Sequence, residues 1–156
     1  MVTVRAGRSE DFEQWARLYR DYRTFYRLEP DEAVVERVWS WVLDEKHEVN
    51  ALVADDEGRL VGLAHHRRFA RPSSGTTGLY LDDLFTLPGY RGRGVGRALL
   101  DALADLAEAE GLSVVRWITA EDNAQARRLY DAVATATHWI TYDMLPGRVP
   151  VGDHER

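Results

Sequence analysis

Three glycines within five residues, Gly92, Gly94 and Gly96, sit in the segment LPGYRGRGVGRALL (87–100), and this run constrains the chain more than any other. Glycine has no Cβ, so the backbone bends sharply there and lets a bulky group approach its N–H groups. Upstream, LYLDDLFTL (79–87) has the composition of a strand. Downstream, Val95, Leu99, Leu103 and Leu106 recur at helical spacing over 92–110, with Gly111 as a natural stop. A strand therefore feeds a helix through a glycine turn. The first N–H groups of such a helix have no partner within it, and its dipole adds partial positive charge, so a phosphate or pyrophosphate is the expected guest. Arg91, Arg93 and Arg97 bring three cations to the same turn. Two other phosphate motifs fail on spacing. G-x-G-x-x-G meets Arg97 or Leu99 at its last position, and the P-loop meets Val95 where it needs Lys. On spacing alone, a plain turn with solvated arginines stays open as the alternative.

The remaining pattern is mixed α/β. VTVRA (2–6) reads as a strand. Phe12, Trp15, Leu18, Tyr19 and Tyr22 mark a first helix, and Val34, Val35, Val38, Trp39 and Val42 a second near 31–44. Strands over 51–56 and 60–69 flank Gly58 as a hairpin, and RPSSGTTG (71–78) is a loop by composition. After the 92–110 helix come a strand over 113–119, a helix from Asn123 to about Ala134, and a strand over 137–144. The 156 residues suit one domain, 1–145, followed by a tail, 146–156. Five Trp, seven Tyr and four Phe supply a core and exclude disorder. A net charge of -6 argues against nucleic-acid binding, and zero Cys excludes a disulfide scaffold, a Cys nucleophile and a thiolate zinc site. The N-terminus shows no signal-peptide h-region, and no apolar run is long enough to span a membrane, so a cytoplasmic location is the default expectation.

Arg91-x-x-Gly94-x-Gly96 matches the R/Q-x-x-G-x-G/A motif of the GNAT superfamily of N-acetyltransferases, and YLDDLFTLPGYRGRGVGRALL as a whole resembles that family more specifically. The resemblance spans about 2–144. It implies a GNAT-like α/β fold: a central mixed, mostly antiparallel twisted sheet of six to seven strands flanked by about four helices. It implies acetyl-coenzyme A as co-substrate, no metal, and a homodimer. The pyrophosphate is expected on the loop Arg91, Gly92, Arg93, Gly94, Val95, Gly96 and Arg97, and further cofactor contacts at Leu84, Phe85 and Thr86. N-x-x-A-x-x-x-Y also recurs, as Asn123, Ala126 and Tyr130. Helical periodicity alone makes Tyr130 a core residue. The resemblance instead makes Asn123 a coenzyme A contact, leaves room at Ala126, and makes Tyr130 the general acid for the leaving thiolate. YLDDLF and RLYDAVATATHWITYDM resemble the subgroup that acetylates polyamines, histone tails or small amino acids. The chain lacks the Gly-Phe common after the Tyr helix, and carries Thr86-Leu87-Pro88 where Val-x-Pro is common.

Acetyl transfer to an amine requires loss of the ammonium proton, so a carboxylate or water chain is needed near the acetyl group. Asp82 and Asp83 are the candidates; regular alternation turns only one of them to the site, and a bulge would change that. Tyr22 and Tyr26, with Tyr19 and Phe25, offer rings for a cationic amine or for the core. His65 and His66 face opposite ways on a strand and read as structural or surface residues. The expectation is direct transfer in a ternary complex to a primary amine: a polyamine, an amino acid, another small amine, or a protein lysine or N-terminus. The alternatives are a sensor that binds acyl-coenzyme A without turnover and a phosphate-binding structural domain.

Overall fold

A computed structural model describes residues 1–148, so of the expected tail 146–156 the stretch 149–156 lies outside the described residues. The chain divides into two compact units, the first covering Met1–Ile118 and the second beginning at Thr119.

The first unit carries strands β1 (Val2–Ala6), β2 (Asn50–Asp56), β3 (Arg59–Arg71), β4 (Thr76–Thr86) and β5 (Val115–Arg116), and helices α1 (Phe12–Phe25), α2 (Glu32–Leu43) and α3 (Val95–Glu110). The strands pair in chain order, three times antiparallel and then parallel between β4 and β5. Helix α2 starts where it does because the Asp31 side chain accepts from Ala33 N–H (3.0 Å) and Val34 N–H (3.3 Å). The β3–β4 hairpin is longer than its composition suggests. Only 72–75 stay out of the ladder, with Gly75 at φ +66°, while Arg71 pairs with Thr76.

Helices α1 and α2 cover one face of the sheet, where Trp15, Leu18, Tyr19, Tyr22, Val35, Val38 and Trp39 pack with Val53, Leu60, Leu63 and Phe85. Helix α3 covers the other with Val95, Leu99 and Leu103. Its close approach needs Gly62. A Cβ there would stand 2.8 Å from Val95 Cγ1 and 3.1 Å from the Phe85 carbonyl oxygen.

In the second unit, helix α4 (Ala124–Val133) is capped by Asn123, whose side chain accepts from Ala126 N–H at 3.4 Å. None of its residues is fully buried.

The expected six to seven strands are corrected to five among the described residues. The 113–119 strand contracts to Val115–Arg116, and 137–144 forms no strand. There Trp139, Ile140, Tyr142 and Met144 are exposed, Trp139 to 89%. Alternating β-favouring residues suit a pleated surface, but a strand exists only where a neighbour completes its ladder. Among the described residues no helix is long and apolar enough to cross a membrane.

On the α3 face, His66 is 4% exposed and lies near Arg68 and Glu110, which pair with each other. Burial, and then Arg68, lower its pKa from 6.5 to about 4. The unfolded chain therefore binds a proton that the fold refuses between pH 6.5 and 4. Stability is complete above pH 6.5 and falls as pH drops toward 4, by at most about 3 kcal/mol. His66→Leu flattens the difference in urea midpoint between pH 7 and pH 4 relative to the unsubstituted chain. An unchanged difference rules His66 out as the cause.

Candidate active site

Asp82 and Asp83 sit at an irregularity in β4. His65 is opposite Asp83 and His66 is opposite Leu81, so Asp82 is an extra residue, a β-bulge. The bulge breaks alternation and turns both carboxylates to the α1 face. Tyr22, on α1, donates its hydroxyl to Asp83 Oδ1 at 2.7 Å. Asp82 pairs with Arg67 Nε at 3.0 Å, and Arg67 lies two residues along the regular β3 from His65, whose ring meets Tyr19 of α1 edge-on at 4.9 Å.

His65 is buried and bonded on both sides. Trp15 Nε1–H donates to its Nε2 at 3.0 Å, and its Nδ1 lies 2.8 Å from Asp83 Oδ2. The expectation of a structural or surface residue missed this contact, because only the bulge brings Asp83 opposite His65. Burial, and then the Asp83 charge, push the Tyr22 hydroxyl far above its ordinary range and that of Tyr19 up to about 12. Burial also raises the Asp82 carboxyl, against the pull of Arg67. Both tyrosines therefore stay protonated near neutrality.

The aromatic stripe of α1 divides by depth. Tyr19 and Tyr22 belong to the core, while Phe25 is 51% exposed. Tyr26 is half-buried, its ring 4.8 Å from that of Tyr22.

The glycine turn sits past the end of β4. A short 3-10 turn (Pro88–Tyr90) leads to Gly92 at φ +76° and Gly94 at φ +82°. These left-handed residues delay the helix, which starts at Val95 rather than 92. Gly94 is its N-cap and has no side chain to offer, so the first-turn N–H groups depend on an outside acceptor. Open space surrounds the Cβ positions of both glycines. The arginines are not simply aimed at that space. Arg91 donates from Nε to the Thr86 carbonyl (3.3 Å), with its guanidinium over Phe25 (5.2 Å) and Phe85 (5.6 Å). Arg93 lies over Tyr90 (5.0 Å), and Arg97 pairs with Asp101 (3.2 Å). The cradle itself is backbone, at Gly92, Arg93, Gly94, Val95, Gly96 and Arg97, and it suits a pyrophosphate.

Leu84, Phe85 and Thr86 lie on β4 between the carboxylates and the turn. Phe85 is buried against Tyr22 on the α1 face. Strand β5 pairs only with Leu79 and Tyr80, so among the described residues no strand lies on that side of β4 from Leu81 onward. In the second unit, Ala126 and Tyr130 fall four residues apart on α4 and so share a side of it, and Asn123 caps its start. Among the described residues, no group of three or more His, Asp or Glu could hold a metal.

The profile of the acetyltransferase (GNAT) family matches residues 12–134. The chain is 28% identical over 143 residues to the D-amino-acid N-acetyltransferase HPA3 of Saccharomyces cerevisiae, covering 90% of this chain and 89% of that one. A crystal structure of ribosomal-protein-alanine N-acetyltransferase from Brucella melitensis superposes with a TM-score of 0.76 at 26% identity, over 93% of this chain and 99% of the other. An aminoglycoside N-acetyltransferase, AAC(6')-Iy, solved in complex with CoA, shares the fold with a TM-score of 0.78 at 18% identity, over 94% and 95%.

Proposed function

The chain belongs to the GNAT acetyltransferase family and is an acyltransferase, and from that premise we propose that it acetylates a small cationic primary amine. The observation that carries this reading is the bulge, which turns Asp82 and Asp83 to one face, with Asp83 bonded to Tyr22 and the Tyr26 ring against that of Tyr22. Acetyl-coenzyme A, when bound, supplies the thioester whose carbonyl the amine attacks. The amides of the 92–97 turn bind its pyrophosphate, with Asn123 and Ala126 as further contacts. Backbone N–H groups at Leu84 or Phe85, continuing to Thr86, meet the negative charge that grows on the carbonyl oxygen.

An amine reaches the site as ammonium. Asp82 already has a cation, Arg67, at 3.0 Å. Asp83 is bonded instead by the Tyr22 hydroxyl and the His65 ring. Asp83 therefore binds the ammonium and takes its proton, while Asp82 adds negative potential. Tyr130 hands a proton to the departing thiolate. Family resemblance also supports a homodimer, which sedimentation velocity tests.

Thioester release measured with a panel of amines tests the reading. A diamine is expected to react at least ten times faster than the amino acid of equal length, whose carboxylate meets the aspartates. Binding of acetyl-coenzyme A with no transfer to any amine supports a sensor instead. Tyr130→Phe is expected to lower kcat by about 10²-fold with the KM for acetyl-coenzyme A unchanged. An unaltered kcat across the pH profile removes Tyr130 from the reaction.

A further inference from the structure

Trp15 lies in the core of the first unit with no exposed surface, and its indole nitrogen meets His65 Nε2 at 3.0 Å. An indole N–H only donates. Nε2 must therefore accept, so the proton of the imidazole sits on Nδ1 and points at Asp83 Oδ2, 2.8 Å away. The opposite tautomer would set two donors against each other and leave two acceptors facing across the second contact. We propose that Trp15 and His65 are positioning residues: the indole fixes the Nδ1–H tautomer of His65, and that N–H fixes the Asp83 carboxylate for the acceptor amine. The proposal rests on the reading of Asp83 given above.

Consequences follow for proton traffic. Asp83 accepts from the Tyr22 hydroxyl at Oδ1 and from His65 Nδ1–H at Oδ2. A proton taken from the ammonium cannot pass on through His65, since Nδ1 already bears one and the far side is closed by a donor. It leaves on the acceptor side. The charged or titratable groups around the pair include Tyr19, Tyr22, Arg23 and, beside Tyr22, Tyr26 from α1, His66 and Arg67 from β3, and Asp82 from β4. The Asp83 carboxylate and the Trp15 indole both place the proton on Nδ1, and Trp15 is the group that closes Nε2.

Two measurements decide the matter. In the full chain, 15N chemical shifts of His65 are expected to show a protonated Nδ1 and a bare Nε2 near neutral pH; a proton on Nε2 overturns the proposal whether or not any amine is acetylated. Trp15→Phe keeps a ring in the core but removes the indole donor to Nε2, and kcat is expected to fall about threefold or more with the KM for acetyl-coenzyme A unchanged. An unchanged kcat overturns the part given to Trp15. His65→Asn, whose amide donates from near the Nδ1 position and does not titrate, should retain activity within about threefold. His65→Leu should lose tenfold or more in kcat with the KM for acetyl-coenzyme A unchanged. Equal loss in both variants points to packing alone and overturns the proposal. If no amine is acetylated while the 15N shifts are as expected, the reading of the site fails and the tautomer lock stands.

Discussion

Asp83→Asn lowers kcat/KM for the amine by about 10²- to 10⁴-fold, the range for loss of a positioned general base. The variant is a clean one. The amide oxygen of Asn can accept from His65 Nδ1–H, and its NH₂ can donate to the Tyr22 hydroxyl, which both donates and accepts. Both local contacts survive, so the thermal midpoint should move little. What disappears is the charge that binds the ammonium and the lone pair that takes its proton. Steady-state kinetics with a diamine measure the effect. Affinity for acetyl-coenzyme A should be unchanged, because Asp83 lies away from the glycine turn. Activity within threefold of the original would transfer the role to Asp82 or to solvent.

Gly94→Val is expected to weaken acetyl-coenzyme A binding by at least tenfold, which corresponds to 1.4 kcal/mol. Two effects act together. A β-branched residue at φ +82° is strained by about 1–2 kcal/mol, and its side chain projects into the open space over the first turn of α3. Gly94→Asn separates them, since Asn tolerates the left-handed conformation at little cost. Calorimetric titration of coenzyme A should show both variants weakened, with Val the worse. Unchanged affinity in Gly94→Val would remove the turn from the binding site.

The parts of the molecule that obey local rules were readable from the chain. Helix α3 declares itself through Leu99 and Leu103 at helical spacing and its exit through Gly111, while its entry, read at 92, falls at Val95 because Gly92 and Gly94 are left-handed. The start of helix α4 was likewise read at Asn123, which proves to be its N-cap. The pattern read over 137–144 was equally clear, yet it described only a preference, because a strand needs a neighbour that no run of eight residues specifies. The site was half legible for the same reason. Asp82 and Asp83 could be named, but which way they point depends on the pairing of β4 with β3, where one residue too many sits opposite His65 and His66. His65 acquires its part only through that mismatch and through Trp15, fifty residues away in sequence.

Strand β3 joins the two ends of this arrangement. Gly62 lies beneath the first turn of α3, and His65, three residues on, holds Asp83. At about 3.3 Å per residue the two anchor points stand about 10 Å apart along a single extended strand. A strand bonded on both sides within a sheet behaves as a ruler, neither stretching nor folding to suit its load. The span between the anion cradle and the acceptor carboxylate is thus graduated by backbone. Tolerance for a longer acyl group has to come from side chains giving way, since the gauge itself does not yield.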